Sequence, residues 1–206
     1  MKRRFYPIAL NLKAKPCLVI GSDEEVLNKA ARLADAGADV EVIWEPLPPT
    51  PNLDAAGVKV SRRAFRLGDL ADQFLVLLSR KTDDALAADV AKRCREKRIL
   101  LAALDRPEFC DVVQLSIFDR GRLRIGISTG GASPGLARKV REGLEKSLEK
   151  EPIEEFLEHL ADLRERLERE IPDFDGRKRA LLAAIEGFEF RAGVTFPASW
   201  RTGMKK

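Results

Sequence analysis

Ser128, Thr129, Gly130, Gly131, Ala132, Ser133 and Pro134 place small and hydroxyl residues directly ahead of a basic stretch, Gly135-Leu136-Ala137-Arg138-Lys139-Val140-Arg141. Proline suits a first helical position, because the N–H it lacks would have no partner there. The spacing therefore predicts a helix beginning at Pro134, with free N–H groups and a positive dipole end facing the loop. Such an end receives carboxylates or phosphates, and Arg138, Lys139 and Arg141 add full positive charge close by. Ser128, Thr129, Gly130, Gly131, Ser133 and Arg138 are thus candidate contacts for an anionic ligand. A capped helix after a glycine turn, with no ligand at all, gives the same pattern.

A second constellation follows the apolar run Cys17-Leu18-Val19-Ile20. Gly21 ends that run and a helix-like stretch begins at about Glu24, the arrangement in which a dinucleotide-binding fold keeps its phosphate turn. In the G-x-G-x-x-G/A pattern the second glycine lets backbone approach a pyrophosphate, and the last small residue allows tight helix–strand packing. Asp23 and Val26 hold those two places here. Gly21, Ser22, Asp23, Glu24 and Glu25 are candidates for the pyrophosphate turn. Glu45 and Pro46, at the end of the next strand, are candidates for the ribose. An acid there would accept from a 2′-hydroxyl and favour NAD over NADP. The helix dipole alone also explains acids in a first turn, and Glu45 reads equally well as a solvated charge at a strand end.

The elements that must carry these residues alternate along the chain. Cys17–Ile20 reads as a strand, 24–36 as a helix stopped by Gly37, and 40–43 as a second strand closed by Pro46. Val58–Ser61 and Phe74–Leu78 follow as strands, 83–96 as a helix and Ile99–Leu104 as a fifth strand. Strands alternating with helices imply a parallel sheet with helices on both faces, a Rossmann-like α/β domain. After Cys110 the pattern changes. Val112–Phe118 and Arg122–Ser128 form two strands around the turn Asp119-Arg120-Gly121. Beyond Pro152 an apolar stripe (Ile153, Phe156, Leu157, Leu160, Leu163, Leu167, Ile171) marks an amphipathic helix, Pro172–Gly176 breaks it, and 177–188 forms another. The expected organisation is a nucleotide-binding domain over 1–111, a hairpin and loop region over 112–150 (the dimerisation region that the family resemblance described below implies), and a helical subdomain over 151–206.

Composition narrows the classes. With 45% apolar and 34% charged residues over 206 positions, the chain suits a globular domain with an appendage. No apolar run reaches the roughly 18 residues that span a bilayer. The basic start Met1-Lys2-Arg3-Arg4 lacks the apolar run of a secretory signal. The net charge of +4 is too mild to argue for nucleic acid. Cys17, Cys94 and Cys110 lack metal-ligand spacing, so no metal site is assigned, and free thiols in a reducing cytoplasm are expected. His159 is the single histidine, which rules out a zinc site built on several histidines of one chain.

The Ser128–Pro134 segment with Leu136-Ala137-Arg138 resembles the precorrin-2 dehydrogenase/sirohydrochlorin ferrochelatase family, the sirohaem synthase N-terminal module. The resemblance extends through Tyr6–Leu12, which looks like that family's opening strand, and through Cys17–Gly21, Ala36-Gly37-Ala38, Asp69-Leu70, Phe74–Val76, Leu104-Asp105, Cys110-Asp111 and Ser116-Ile117. It implies NAD-dependent oxidation of precorrin-2 to sirohydrochlorin, with ferrous iron (Fe2+) as a further substrate in members that insert the metal. It also implies a homodimer, and Asp105 as the carboxylate that takes protons from the macrocycle. An aspartate before Arg106-Pro107 is equally an ordinary turn residue. The chain departs from the family's glycine triplet at Gly21-Ser22-Asp23 and from its closing alanine at Val26. It also differs in the turn Ser79-Arg80-Lys81-Thr82 and at Ala102. A cofactor-free metal chelatase and a non-catalytic tetrapyrrole-binding protein therefore stay open beside the dehydrogenase.

Overall fold

A computed structural model describes residues 5–44, 46, 53 and 55–196. The chain divides into two compact units, Met1–Gln114 and Leu115–Lys206. In the first, β1 (Pro16–Ile20), α1 (Glu24–Asp35), β2 (Asp39–Ile43), β3 (Lys59–Ser61), a 3-10 turn (Leu67–Leu70), β4 (Leu75–Leu78), α2 (Asp84–Lys97) and β5 (Leu100–Ala103) succeed one another. The five strands form one parallel sheet in the order β3-β2-β1-β4-β5. This is the expected α/β alternation, and the strand order reverses between β1 and β4.

Side chains of a strand alternate between faces, so the central strands must be apolar at every position to feed two cores. Cys17 and Val19 of β1 join Val26, Ala30 and Leu33 of α1 with Leu75 and Leu77 of β4. Leu18 and Ile20 join Ala87, Val90 and Cys94 of α2 with Val76 and Leu78. The cysteines are free and buried. Burial, reinforced by Asp39, pushes the Cys17 thiol up to about 11. Burial with Asp111 pushes Cys94 to about 12. Cys110 donates from Sγ to the Ala103 carbonyl at 3.1 Å and accepts from its N–H at 3.3 Å, tying the chain after β5 back to the sheet.

The second unit comprises the hairpin β6 (Ser116–Arg120) and β7 (Leu123–Ile127), then α3 (Pro134–Leu148), α4 (Ile153–Glu170) and α5 (Phe174–Ala184). Arg120 and Arg122 at the hairpin tip pair with Glu154 and Glu158 of α4 at 2.9 and 2.8 Å. Phe156 stacks on Phe188, ring centroids 5.8 Å apart. Among the described residues no helix is long and apolar enough to cross a membrane.

Four element expectations need correction. Tyr6–Leu12 is irregular and exposed as far as Asn11, and Pro7 could not donate to a ladder there. The hairpin turn is Gly121-Arg122, with Gly121 at φ +58°, while Asp119 and Arg120 are strand residues. Asp119 lies opposite Arg124 and pairs with it at 3.1 Å, so the charges favour the ladder over a wider turn. The first hairpin strand begins at Ser116 rather than Val112, because Asp111 and Val112 donate their N–H groups to the Leu101 carbonyl and stay with the first unit. The last helix begins at Phe174 and ends at Ala184, because the Asp173 carboxylate caps it through the Gly176 N–H at 2.6 Å.

Candidate functional site

The β1–α1 turn sits where the strand order reverses, the crevice in which open α/β sheets bind their ligands. Gly21 adopts φ +133°, and a Cβ there would overlap the Ser79 Cβ at the end of β4. Only glycine lets these two strand ends meet. Asp23 is 7% exposed and caps α1, accepting from the Val26 N–H at 3.1 Å. The Ser79 hydroxyl donates to its other carboxylate oxygen. Its charge is thus turned into the protein and held by two donors. Val26, where the motif has a small residue, is fully buried in the core between α1 and the sheet.

The N–H groups of Glu24 and Glu25 precede the first helical bond, which Leu27 donates to Asp23, so they lack intrahelical acceptors. Their side chains are exposed, and Glu25 pairs with Lys29 at 3.6 Å. Ser22 is partly buried, Trp44 donates its N–H to the Ser61 carbonyl at 3.2 Å, and Pro46 is exposed. Glu45 lies outside the described residues. A strand, a positive-φ glycine and an open helix start at the reversal point fit a dinucleotide pyrophosphate by backbone. The carboxylate of Asp23 does not point at the groups that would receive it.

Asp105 follows β5 on the same carboxy-terminal edge of the sheet. Its backbone is left-handed at φ +59°, a conformation that costs a residue other than glycine energy and needs support. Arg106 supplies it. That side chain, 14% exposed, donates to the carbonyls of Ser79 and Thr82 and to the Asp84 carboxylate. It bolts the turn after β5 to the turn after β4 and leaves the Asp105 carboxylate outward, 74% exposed, with Arg80 Nη1 3.9 Å away. Beneath this rim the Thr82 hydroxyl is buried without a partner.

The Ser128–Pro134 loop belongs to the second unit, and its hydroxyls serve the loop itself. Thr129 Oγ1 donates to the Ser133 carbonyl at 3.0 Å and accepts from the Ser133 N–H at 3.1 Å. Ser133 Oγ caps α3 by accepting from the Leu136 N–H at 3.1 Å, and Ser128 Oγ accepts from the Gly130 N–H. Gly130 and Gly131 have φ of +60° and +82° with open space where a Cβ would stand, so conformation rather than crowding demands glycine. Arg138 and Lys139 both lean on Glu142, and Arg141 pairs with Glu145. Helix acids therefore partly balance the basic face. Among the described residues no group of three or more His, Cys, Asp or Glu is arranged to hold a metal.

Gly21–Glu25 and Asp105 thus share one sheet edge, while the hydroxyl loop is carried by the other unit. Sequence reasoning missed the parts played by Ser79, Arg80 and Arg106. An arginine in the turn after each of β4 and β5 was the available signal, but pairing them requires knowing that those strands are neighbours.

The first unit defines a nucleotide-binding protein of the Rossmann class. The family model described as "Putative NAD(P)-binding" matches residues 8–116, and the model described as "Sirohaem biosynthesis protein central" matches 120–147. The chain belongs to this NAD(P)-binding family, with a sirohaem-biosynthesis segment directly after it. The siroheme synthase of Methylococcus capsulatus is 32% identical over 185 residues, covering 89% of this chain and 39% of that protein. That of Saccharophagus degradans is 35% identical over 147 residues, covering 70% and 32%. The chain spans about two-fifths or less of the length of these relatives. A solved structure titled SirC, precorrin-2 dehydrogenase, shares the fold at a TM-score of 0.72 and 24% identity, over 89% of this chain and 90% of that one.

Proposed function

We propose that this protein oxidises precorrin-2 to sirohydrochlorin with NAD, in sirohaem biosynthesis. The carrying observation is that a dinucleotide-type turn after β1 and an outward carboxylate, Asp105 after β5, emerge from one sheet edge with β4 between them. The sirohaem synthase relatives and the fold of SirC support the substrate class. Bound nicotinamide supplies a hydride acceptor. Gly21 gives the backbone its close approach, and the Glu24 and Glu25 N–H groups meet the pyrophosphate. Glu45 and Pro46 are the residues assigned to the ribose. Asp105 accepts the proton that leaves the macrocycle as its hydride departs, and passes it to solvent, so atoms and charge balance.

The Ser128–Ser133 loop and Arg138 receive substrate carboxylates, in a region (112–150) that also joins two copies into a homodimer, with residues 151–206 as the helical subdomain. The enzyme works in the cytoplasm, and ferrous iron is a substrate of the insertion step where that activity is present. The test supplies precorrin-2 and NAD anaerobically and follows the rise in reduced-nicotinamide absorbance, with ferrous iron added afterwards to read insertion. Loss of a positioned proton acceptor in Asp105→Asn lowers kcat about 10²- to 10⁴-fold. Turnover by that variant at the wild-type rate overturns the role of Asp105. Absence of oxidation by wild-type protein overturns the function.

A further inference from the structure

Two arginines flank the rim around Asp105, and they are used differently. Arg106 is nearly buried and engages three acceptors. Arg80 is half exposed, and among the described residues its one ion-pair partner is Asp105, at 3.9 Å. That separation exceeds a hydrogen bond, and an exposed pair of this length contributes little to stability.

The backbone around Arg80 is nevertheless fixed. Ser79 is buried and donates its hydroxyl to Asp23; the Lys81 N–H donates to Ser79 Oγ at 3.0 Å; the Thr82 N–H donates to the Ser79 carbonyl at 3.2 Å. Arg106 then grips the Ser79 and Thr82 carbonyls on either side. The loop thus fixes where the Arg80 side chain departs from the backbone, while its guanidinium, half exposed and with no closer partner among the described residues than Asp105 at 3.9 Å, keeps its donors for a ligand anion.

We propose that Arg80 is a substrate-recognition residue, whose guanidinium takes a carboxylate arm of the polyanionic macrocycle and releases Asp105 to accept the proton. This deepens the dehydrogenase reading and rests on it. The arriving carboxylate pairs with Arg80 and leaves Asp105 as an unpaired carboxylate, and the proton that Asp105 then accepts restores neutrality at the rim. The planar fork of arginine can grip the arriving carboxylate through two N–H donors, which the long contact to Asp105 does not use.

The test combines binding of uroporphyrin, a metal-free polycarboxylate porphyrin followed by its fluorescence, with precorrin-2 kinetics. Arg80→Ala is expected to weaken porphyrin binding and raise KM about tenfold, the loss of one charge-assisted contact, with kcat within about twofold of wild type. Arg80→Lys recovers part of the loss, because it keeps the charge without the fork. Arg80→Gln, which keeps a polar side chain but removes the charge, must match Arg80→Ala and guards against an unstable alanine variant.

Porphyrin binding and KM unchanged in Arg80→Ala and Arg80→Gln overturn this proposal while the dehydrogenase reading stands. A fall in kcat with KM unchanged also overturns it, since Arg80 would then act on Asp105 and not on substrate. Wild-type protein that neither binds the porphyrin nor oxidises precorrin-2 overturns the function and this proposal together.

Discussion

Replacing Asp23 by alanine tests the geometry on which the nucleotide site depends. The side chain is 7% exposed and satisfies two groups, the Val26 N–H of the first helical turn and the hydroxyl of Ser79, itself 1% exposed. Loss of an aspartate cap costs about 1 kcal/mol. Leaving a buried hydroxyl without its acceptor costs a further roughly 1–3 kcal/mol. Removing a buried carboxylate recovers part of its desolvation cost, and Ser79 Oγ keeps the Lys81 N–H. The net destabilisation is about 1–3 kcal/mol.

Thermal unfolding by circular dichroism should fall by roughly 3–12 °C for a unit of this size. Asp23→Asn keeps the capping oxygen and places an amide toward Ser79, so its loss stays below about 1 kcal/mol. NAD titration of Asp23→Asn separates the two possible directions of the carboxylate. Turned inward, its charge has little influence on the phosphates, and affinity changes by less than about threefold. A wild-type melting temperature for Asp23→Ala, or NAD binding tightened more than about tenfold by Asp23→Asn, would refute the inward cap and put the carboxylate at the pyrophosphate.

Two further outcomes follow from local environments. With thiol pKa values of about 11 and about 12, Cys17 and Cys94 should resist a thiol reagent at pH 8 in the native protein and react once it is unfolded in urea; fast native labelling of both by mass spectrometry contradicts the packed faces of the sheet. The Asp69 carboxyl is held below its ordinary range first by hydrogen bonds from Arg63, at 2.8 and 2.9 Å, and also by the Arg66 N–H. A folded-state pKa below the unfolded one gives stability that is present above about pH 4 and lost as pH falls further. The stability gap between wild type and Asp69→Asn in urea melts should therefore be largest near neutrality and close toward pH 2; a gap independent of pH sinks the assignment.

Much of the fold is legible locally. The apolar runs 17–20 and 75–78, the acidic start of the helix after Gly21, and Pro134 at a helix start each act over a few residues, and their elements form where those residues place them. The Ser128–Pro134 loop is equally local, since its turns, caps and glycine conformations are set by neighbours within four positions. The family resemblance fails at Tyr6–Leu12, where it implies an opening strand but no ladder partner exists among the described residues.

Chain order alone also leaves the candidate site incomplete. Asp23 reads as an unwelcome charge in the phosphate turn until strand pairing sets β4 beside β1 and brings Ser79, 56 residues away, to its carboxylate. Asp105 reads as a turn residue until β5 pairs with β4, which lets Arg106 clamp the two turns and leaves Arg80 facing the carboxylate. Caps and periodicities are fixed by near neighbours and are therefore written in sequence. The direction of a side chain at a strand end depends on which strand lies alongside, and burial of both sheet faces settles that only when the whole layer is assembled.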